Sequence, residues 1–294
     1  MTYDKRFDGR DFDELRPIEA KVGVIPNADG SAYFKIGKTI AYAAVYGPRD
    51  FFPKFLKDPQ KGLLRCRYNM MPFSGAGERV RPGGNRRSKE ISMIMDNALG
   101  SVLDLSETPN SVVDVFVELP QTDAGSRCAS ICAASMALAD AGIPMRDLIA
   151  AVAVGRVDNR VVVDLEYQEE AYENGPVADI PIALVPSTGE LTLLQMDGHI
   201  SKELLMEALE KGKAACQKII EIQKAALKER YSNPEGEFAE EESEHAPFVS
   251  AGEYSAEDGD GFQADGEESG DGDGFSDDNA GDEEEYFEEE SDEQ

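Results

Sequence analysis

A short run of residues ahead of a helical segment has the composition of an anion site. The run is Asp123-Ala124-Gly125-Ser126-Arg127, and small residues continue after it to Ala141. Amides at a helix N-terminus lack partners inside the helix, and the helix dipole favours negative charge there. Gly125 allows close backbone approach, Ser126 can donate a hydrogen bond and Arg127 adds charge, so the run suits inorganic phosphate. An ordinary capped helix start fits the spacing equally well.

Six arginines gather over a predicted strand, the Gly/Pro-rich loop that follows it and the next helix. They are Arg65, Arg67, Arg79, Arg81, Arg86 and Arg87. Arg65 and Arg67 alternate along the strand, so both side chains point to the same face. Guanidinium groups match phosphate oxygens bidentately, and a row of them can follow a nucleic-acid backbone. This local excess, in a chain that is net negative, favours nucleic-acid binding over a solvated basic loop.

Carboxylates cluster later in the chain. The glutamates are Glu166, Glu169, Glu170 and Glu173, and Asp179 follows them. Carboxylates near a phosphate site suit Mg²⁺ or Mn²⁺, which prefer oxygen ligands. A solvated acidic hairpin is the simpler interpretation of the glutamates. Asp179 differs because it begins an apolar strand, residues 180–185, where a charged side chain needs a reason.

The scarcity of histidine restricts the chemistry. The only histidines are His199 and His245, which argues against a histidine-based nucleophile triad or a multi-histidine metal site. Cys128 and Cys132 lie one helical turn apart with no other Cys or His nearby in sequence, which favours buried core thiols over a metal pair. No run of 18 apolar residues is present, so no membrane span is expected, and a reducing cytoplasm is the predicted location.

Charge is distributed unevenly along the chain. The formal net charge is −30, but residues 232–294 hold 26 of the 59 acidic residues and none of the 29 basic ones. The other 33 acidic residues leave residues 1–231 close to neutral. One sign of charge with little apolar burial cannot offset the entropy of ordering, so residues 232–294 are predicted to form a disordered acidic tail. Residues 1–231 are long enough to bury a core.

Strand and helix patterns divide the body into elements that would position these residues. Strands are predicted at 16–24, 32–36, 39–46, 63–71 and 111–119, and hairpins at 148–157 with 160–166 and at 179–185 with 190–195. Helices are predicted at 86–105, at 124–141 with Thr122 or Asp123 as the cap, and at 201–230. This mixture predicts an α+β fold, with mixed sheets covered by helices on one face.

Six stretches, in order along residues 4–230, resemble the RNase PH family of 3′→5′ exoribonucleases, and within it the catalytic type of subunit of the archaeal exosome. The stretches are Phe7-Asp8-Gly9-Arg10, Arg67-Tyr68-Asn69-Met70-Met71-Pro72-Phe73-Ser74, Arg86-Arg87-Ser88-Lys89-Glu90-Ile91, Asp123–Arg127, Ala139-Asp140-Ala141-Gly142-Ile143-Pro144-Met145-Arg146-Asp147 and Leu194-Gln195-Met196-Asp197-Gly198. Each stretch alone is weak, and their shared order makes the resemblance specific.

The resemblance implies a fold and a set of roles. The fold would be an RNase PH-type domain over residues 1–231, with an N-terminal part at 1–147 and a C-terminal part at 148–231. Gly125, Ser126 and Arg127, with Arg87, would bind the attacking phosphate. Arg86 and Arg87 would bind phosphates at the RNA 3′ end, and Arg65 and Arg67 would hold RNA further upstream. Asp179 would be the principal catalytic carboxylate, as an acid or a metal ligand.

The second catalytic carboxylate is ambiguous, because this chain departs from the family's pattern. The family usually has a second Asp six residues before the first, and that position is Glu173 here. Alignment forward from Asp164-Leu165 selects Glu170 instead, since the segment is about three residues longer than usual. We favour Glu170 slightly, and both glutamates stay candidates.

The implied reaction and partners complete the expectation. Inorganic phosphate would be a co-substrate that attacks the last phosphodiester and releases a nucleoside diphosphate, with Mg²⁺ or Mn²⁺ as the expected metal. The partners would be single-stranded RNA, a second and non-catalytic RNase PH-like subunit in a trimer-of-dimers hexameric ring, and RNA-binding cap subunits. The alternatives are a tRNA 3′-trimming RNase PH, a non-catalytic RNA-binding ring subunit, and a relative of the same fold that binds nucleotides without phosphorolysis.

Overall fold

The structure is a computed structural model that describes residues 3–77, 79–81 and 84–232. The predicted acidic tail, apart from Ser232, therefore lies outside the described residues. The described residues belong to one compact unit. None of the helices in these ranges is both long enough and apolar enough to cross a lipid bilayer.

The first sheet has five strands from the N-terminal half of the chain. They are β1 (Ile18–Val22), β2 (Gly30–Ile36), β3 (Thr39–Asp50), β4 (Leu63–Met70) and β5 (Ser111–Gln121). Their order is β1-β2-β3-β5-β4, and only the β4–β5 pair is parallel. A parallel pair needs a crossover connection, and helix α1 (Arg86–Gly100) supplies it. Because β4 is an edge strand that leads into this crossover, its C-terminal end lies near the start of α1.

The second sheet is antiparallel and comes from the C-terminal half. Its strands are β6 (Ala150–Val157), β7 (Arg160–Val163), β8 (Val177–Val185), β9 (Glu190–Leu194) and β10 (Asp197–Gly198). The order is β10-β8-β6-β7, and β9 also pairs with β8. Both predicted hairpins are confirmed, since β6 pairs with β7 and β8 pairs with β9. The sequence did not indicate β10, which brings Asp197 opposite Asp179.

Helix α2 (Ser126–Asp140) packs against strands of both sheets, which confirms the close packing that its small residues predict. Nearly all of its side chains are buried, as is the whole set of free cysteines, Cys66, Cys128, Cys132 and Cys216. The approach to β2 is so close that a Cβ on Gly30 would lie 2.2 Å from the backbone nitrogen of Ala141. The cysteines are therefore core residues, and burial raises the pKa of Cys132 to about 12.

Two further helices complete the fold. The long C-terminal helix α4 (Lys202–Ser232) packs on β6 and β1, and the short helix α3 (Tyr167–Glu170) lies between β7 and β8. The sequence predicted α4 but not α3, because four residues give no measurable periodicity. The predicted α+β class, with two sheets and packed helices, is confirmed.

Candidate active site

A cleft of about 670 Å³ opens where the N-termini of α1 and α2 approach α3 and the start of β8. It brings together most of the residues that the sequence singled out. These are Arg87, Gly125, Ser126, Arg127, Glu170 and Asp179. Elements separated by more than ninety residues of chain therefore converge on one site.

The start of α2 has no side-chain cap, so the prediction that Thr122 or Asp123 caps it is wrong. Gly125 occupies the N-cap position in the left-handed region, with φ of 61°, and no side chain accepts from the first-turn amides. Both candidate cap side chains instead form hydrogen bonds with distant parts of the chain. Thr122 Oγ1 donates to the carbonyl of Ser74 at 3.3 Å, and Asp123 Oδ1 accepts from the amide of Tyr167 at 3.3 Å. An uncapped helix start that faces a cleft suits an anionic ligand.

The Ser126 hydroxyl is oriented by a tyrosine that the sequence analysis did not assign. Tyr68 is buried on β4, and its hydroxyl donates to Ser126 Oγ at 2.9 Å. Since Ser126 Oγ accepts this bond, its own proton is left to point toward a ligand. Burial raises the pKa of Tyr68, so the tyrosine keeps its proton and acts as the donor. The sequence did contain a signal for Tyr68: it directly follows Arg67 in β4, so its side chain must point to the opposite, buried face of the sheet.

Two arginines, Arg87 and Arg127, line the same cleft as the start of α2. Arg127 donates through Nη1 to Gln195 Oε1 at 2.5 Å, and this bond fixes the guanidinium beside β10. Arg87 is exposed on the first turn of α1, which contains no acidic residue. A cation is disfavoured at the positive end of a helix dipole. The position of Arg87 is therefore better explained by anion binding than by stabilisation of the helix. Arg86, its neighbour, does not line the cleft.

Asp179 and Glu170 form a carboxylate pair in a poorly solvated part of the cleft. Burial raises the pKa of Asp179 to about 6, with a further contribution from Asp197, and against the opposing charges of Arg127 and Arg87. Burial, followed by the negative charge of Asp179, raises the pKa of Glu170 to about 7. Two adjacent buried carboxyl groups share protons most favourably when one is neutral. The pair can therefore hold a proton near neutral pH.

The structure separates the two glutamate candidates. Glu170 ends α3 and lines the cleft beside Asp179, whereas Glu173 is exposed in the loop that follows and does not line it. Counting back six residues from Asp179 selects Glu173, which is an exposed residue of the loop between α3 and β8. Glu169 is a structural anchor, since it is fully buried and bonds Arg6 at 2.7 Å. The geometry therefore disagrees with Glu173 as a cleft residue, and the catalytic role of Glu170 stays a prediction.

The residues present are compatible with a hard divalent cation. Asp179 Oδ1 is buried and has no hydrogen-bond partner among the described residues. No group of three or more His, Cys, Asp or Glu side chains within the described ranges forms a complete cage for a metal ion. Mg²⁺ is commonly bound by only one or two carboxylates, with substrate phosphates and water as its other ligands. Asp179 with Glu170 fits that incomplete type of site.

Arg65 and Arg67 do not reach this cleft. They lie on the face of β4 opposite to Cys66 and Tyr68, as their alternation predicted. Arg65 is bound to Asp114 at 2.6 Å, whereas Arg67 is exposed with its guanidinium 6.0 Å from the ring centre of Phe116. Their predicted contact with upstream RNA would therefore use a surface separate from the cleft.

Two further residues, one in the cleft lining and one bound to a lining residue, had no role assigned from the sequence. Asp197 lines the cleft and is the strand partner of Asp179, and Gln195 holds Arg127. Both belong to the stretch 194–198 that contributed to the resemblance, so the signal was present. Their roles depend on the pairing of β10 with β8, which a two-residue strand does not reveal.

An uncapped helix start and a carboxylate pair thus line one cleft on a two-sheet α+β scaffold, an arrangement that suits an anionic ligand. The descriptions "3′ exoribonuclease family, domain 1" and "3′ exoribonuclease family, domain 2" match residues 14–144 and 147–215. The chain therefore belongs to the RNase PH family of 3′ exoribonucleases.

Individual relatives agree with this assignment. The chain is 50% identical over 227 residues to the exosome complex component Rrp41 of Thermococcus kodakarensis, covering 77% of this chain and 90% of the relative. It is 43% identical over 226 residues to the protein of the same name from Thermoplasma acidophilum, covering 77% of this chain and 90% of the relative. The crystal structure of rice (Oryza sativa) Rrp46 is similar with a TM-score of 0.68 and 27% identity, covering 76% of this chain and all of that one.

The two neighbouring arginines of α1 should have different effects when removed. Arg87→Ala should raise the KM for phosphate and for RNA, each by about tenfold or more, because a charge-assisted hydrogen bond contributes about 1.5–3 kcal/mol. Arg86→Ala should leave the KM for phosphate within about twofold, since it lies outside the cleft lining. Steady-state kinetics with each substrate varied in turn measures both values. An equal rise in phosphate KM for the two variants would contradict the placement.

Proposed function

We propose that this chain is the catalytic RNase PH-like subunit of an archaeal exosome, and that it degrades RNA from the 3′ end by phosphorolysis. The observation that carries the proposal is the meeting of the uncapped α2 start with the Asp179–Glu170 pair in one cleft. The names of the relatives from Thermococcus kodakarensis and Thermoplasma acidophilum support the assignment to an exosome.

In the proposed reaction, inorganic phosphate is the nucleophile. The first-turn amides of α2, the Ser126 hydroxyl and the Arg127 guanidinium bind it and hold one oxygen in line with the last phosphodiester. That oxygen attacks the phosphorus, and the bond to the 3′-oxygen of the preceding nucleotide breaks. The products are a nucleoside 5′-diphosphate and an RNA shortened by one nucleotide. Fixed donors around the phosphoryl oxygens stabilise the charge that develops there.

The leaving 3′-oxygen needs a proton, and the carboxylate pair can supply it. Glu170, with a pKa of about 7, holds a proton over a larger part of the neutral range than Asp179 does. A general acid is most effective when its pKa lies near the working pH. Mg²⁺ or Mn²⁺, held by Asp179 together with substrate phosphates and water, would supply electrostatic stabilisation of the transferring phosphoryl group when bound.

The proposed partners follow from the same assignment. Single-stranded RNA would be the substrate, with Arg86 and Arg87 at its 3′-end phosphates and Arg65 and Arg67 on upstream nucleotides. A second, non-catalytic RNase PH-like subunit would alternate with this chain in a trimer-of-dimers hexameric ring, and RNA-binding cap subunits would sit on that ring. The printed names of the relatives, which call them components of a complex, support an assembly.

Omission of phosphate tests the reaction. The full chain, alone and reconstituted with its RNase PH-like partner, is incubated with single-stranded RNA with and without inorganic phosphate. We expect nucleoside diphosphates that appear only with phosphate, and isotope-labelled phosphate should enter the terminal phosphate of the product. Nucleoside monophosphates formed equally well without phosphate would contradict phosphorolysis and indicate hydrolysis. The Asp179→Asn variant, purified identically, controls for contaminating nucleases.

A further inference from the structure

We propose that Thr39 and Arg16 are positioning residues that hold the turn at 123–125, and through it align both the phosphate site and Glu170. This proposal rests on the proposed function, because it assigns residues to the geometry of that reaction. Neither residue lines the cleft, and neither belongs to the stretches that carried the resemblance. We call Thr39, Arg16 and its ion-pair partner Asp164 the rear clasp.

The turn held by the rear clasp has an unfavourable backbone conformation. Ala124 and Gly125 both lie in the left-handed region, with φ of 57° and 61°. Glycine adopts this conformation freely, but an alanine is disfavoured there because its Cβ approaches the following carbonyl. Two such residues in succession aim the first amides of α2 into the cleft. Contacts from elsewhere in the chain must therefore keep the turn in place.

Thr39 provides one of these contacts with a single hydroxyl group. It is fully buried at the first position of β3. Its Oγ1 accepts from the amide of Asp123 at 2.8 Å and donates to the carbonyl of Ala124 at 2.8 Å. One hydroxyl thus closes a hydrogen-bonded ring around the left-handed alanine and satisfies two part-buried backbone groups. Thr39 lies 84 and 85 residues away from the two residues that it binds, so these hydrogen bonds are tertiary contacts.

Arg16 supports the same turn from the other side. Its Nε and Nη2 atoms donate to the Asp164 carboxylate at 2.9 and 2.7 Å, and its Nη1 donates to the carbonyl of Asp123. Both side chains are at most 4% exposed. A Cβ on Gly125 would lie 3.4 Å from Arg16 Nη2, so the guanidinium sits directly behind the turn. The buried ion pair with Asp164 therefore fixes the orientation of the guanidinium that binds the Asp123 carbonyl.

The turn also reaches the carboxylate side of the cleft. Asp123 Oδ1 accepts from the amide of Tyr167 at 3.3 Å, and Tyr167 begins the four-residue helix that ends at Glu170. A displacement of the turn would therefore move the phosphate donors and the acid together. Small misplacements of reacting groups lower rates steeply, because the reaction needs in-line geometry. RNA held by arginines outside the turn should be bound as before.

The test is Thr39→Val, which replaces the hydroxyl with a methyl group of similar size. We expect the KM for phosphate to rise by about tenfold and kcat to fall by about tenfold or more, since misplacement affects both groups. RNA affinity measured without phosphate should stay within about twofold, because the arginines are unchanged. Thr39→Ser, which restores the hydroxyl, should return both kinetic values to near those of the unmodified protein.

Ser31→Ala is the matched control. Ser31 is also a buried strand residue whose hydroxyl closes a turn, accepting from the Ile25 amide at 2.9 Å, and it does not line the cleft. Its loss should lower the melting temperature without changing the KM for phosphate. A readout independent of turnover is the rise in melting temperature on adding inorganic phosphate, which Thr39→Val should reduce and Ser31→Ala should preserve.

Several outcomes would overturn the proposal. Unchanged kinetics in Thr39→Val would do so, as would equal changes in Thr39→Val and Ser31→Ala. A Thr39→Val chain that does not fold would also overturn it, because the hydroxyl would then serve the fold as a whole. Failure of the proposed function looks different, since the unmodified protein itself would then show no dependence on phosphate.

Discussion

Asp179→Asn is expected to lower kcat by about a thousandfold, because it removes the charge that would hold the metal ion and that raises the pKa of the proposed acid Glu170. The substitution keeps the volume and removes the charge that the cleft places beside Glu170. RNA affinity should change by less than about threefold, since the arginines are untouched. Single-turnover degradation of end-labelled RNA measures the rate, and a loss of less than about tenfold, or 1.4 kcal/mol, would contradict a catalytic role.

The same variant should be more stable than the unmodified protein at alkaline pH. The pKa of Asp179 in the folded state, about 6, lies above its ordinary value of 3.8. The folded state therefore binds more protons than the unfolded state between these values, so this group's contribution to stability falls as pH rises through about 6. At pH 8 the buried charge should cost on the order of 3 kcal/mol, which Asn removes.

Denaturant unfolding from pH 5 to pH 8 measures this effect. The unmodified protein should lose more unfolding free energy over this interval than Asp179→Asn does. Glu173→Gln is the matched control, because Glu173 is exposed outside the cleft and loss of its charge should leave the pH dependence of stability largely unchanged. Parallel curves for the unmodified protein and Asp179→Asn would show that the carboxyl group is not destabilised by burial.

Glu170→Gln is expected to lower kcat by about a hundredfold or more, whereas Glu173→Gln should stay within about twofold. The two variants make the same chemical change three residues apart, so each controls for the other. Glu170 lines the cleft next to Asp179, and Glu173 is exposed outside it. Initial rates at saturating phosphate and RNA compare them directly. A larger loss in Glu173→Gln would contradict the geometric assignment.

The pH dependence of kcat adds a second readout for Glu170. If its proton is transferred to the leaving oxygen, the rate should fall as pH rises above about 7, since the acid is then lost. Glu170→Gln should abolish this alkaline limb, while Glu173→Gln should keep it. An alkaline limb that survives in Glu170→Gln would assign the titrating group to another residue.

Local patterns in the sequence were sufficient for part of this site. Gly125, Ser126 and Arg127 are adjacent in sequence, and Asp179 is conspicuous in an apolar strand, so no tertiary knowledge was needed to select them. The strands, hairpins and long helices were also predictable, because their apolar periodicity extends over many residues. The assignment of α2 as close-packed on both sides followed directly from its small residues.

Other parts of the site depend on contacts between distant segments. Tyr68 orients Ser126 from 58 residues away, and Arg16 holds Asp123 from 107 residues away. The cap of α2 was wrongly predicted because local propensity assumes that Thr122 and Asp123 serve their own helix. Counting residues back from Asp179 could not separate Glu170 from Glu173. Such counting assumes a fixed number of residues between the two carboxylates, and the sequence alone does not give that number.

Helix α2 connects the proposed anion site directly to the hydrophobic core, which a surface loop would not do. Its N-terminus provides the anion site, and the rest of it is enclosed between the two sheets. Segments enclosed in this way open only in unfolding events that involve most of the domain, whereas exposed loops open locally. The proposed phosphate site therefore has little freedom to open and close on its own. We expect turnover to depend on how an RNA end reaches the cleft, and thermal inactivation to follow the melting of the body that residues 3–232 form.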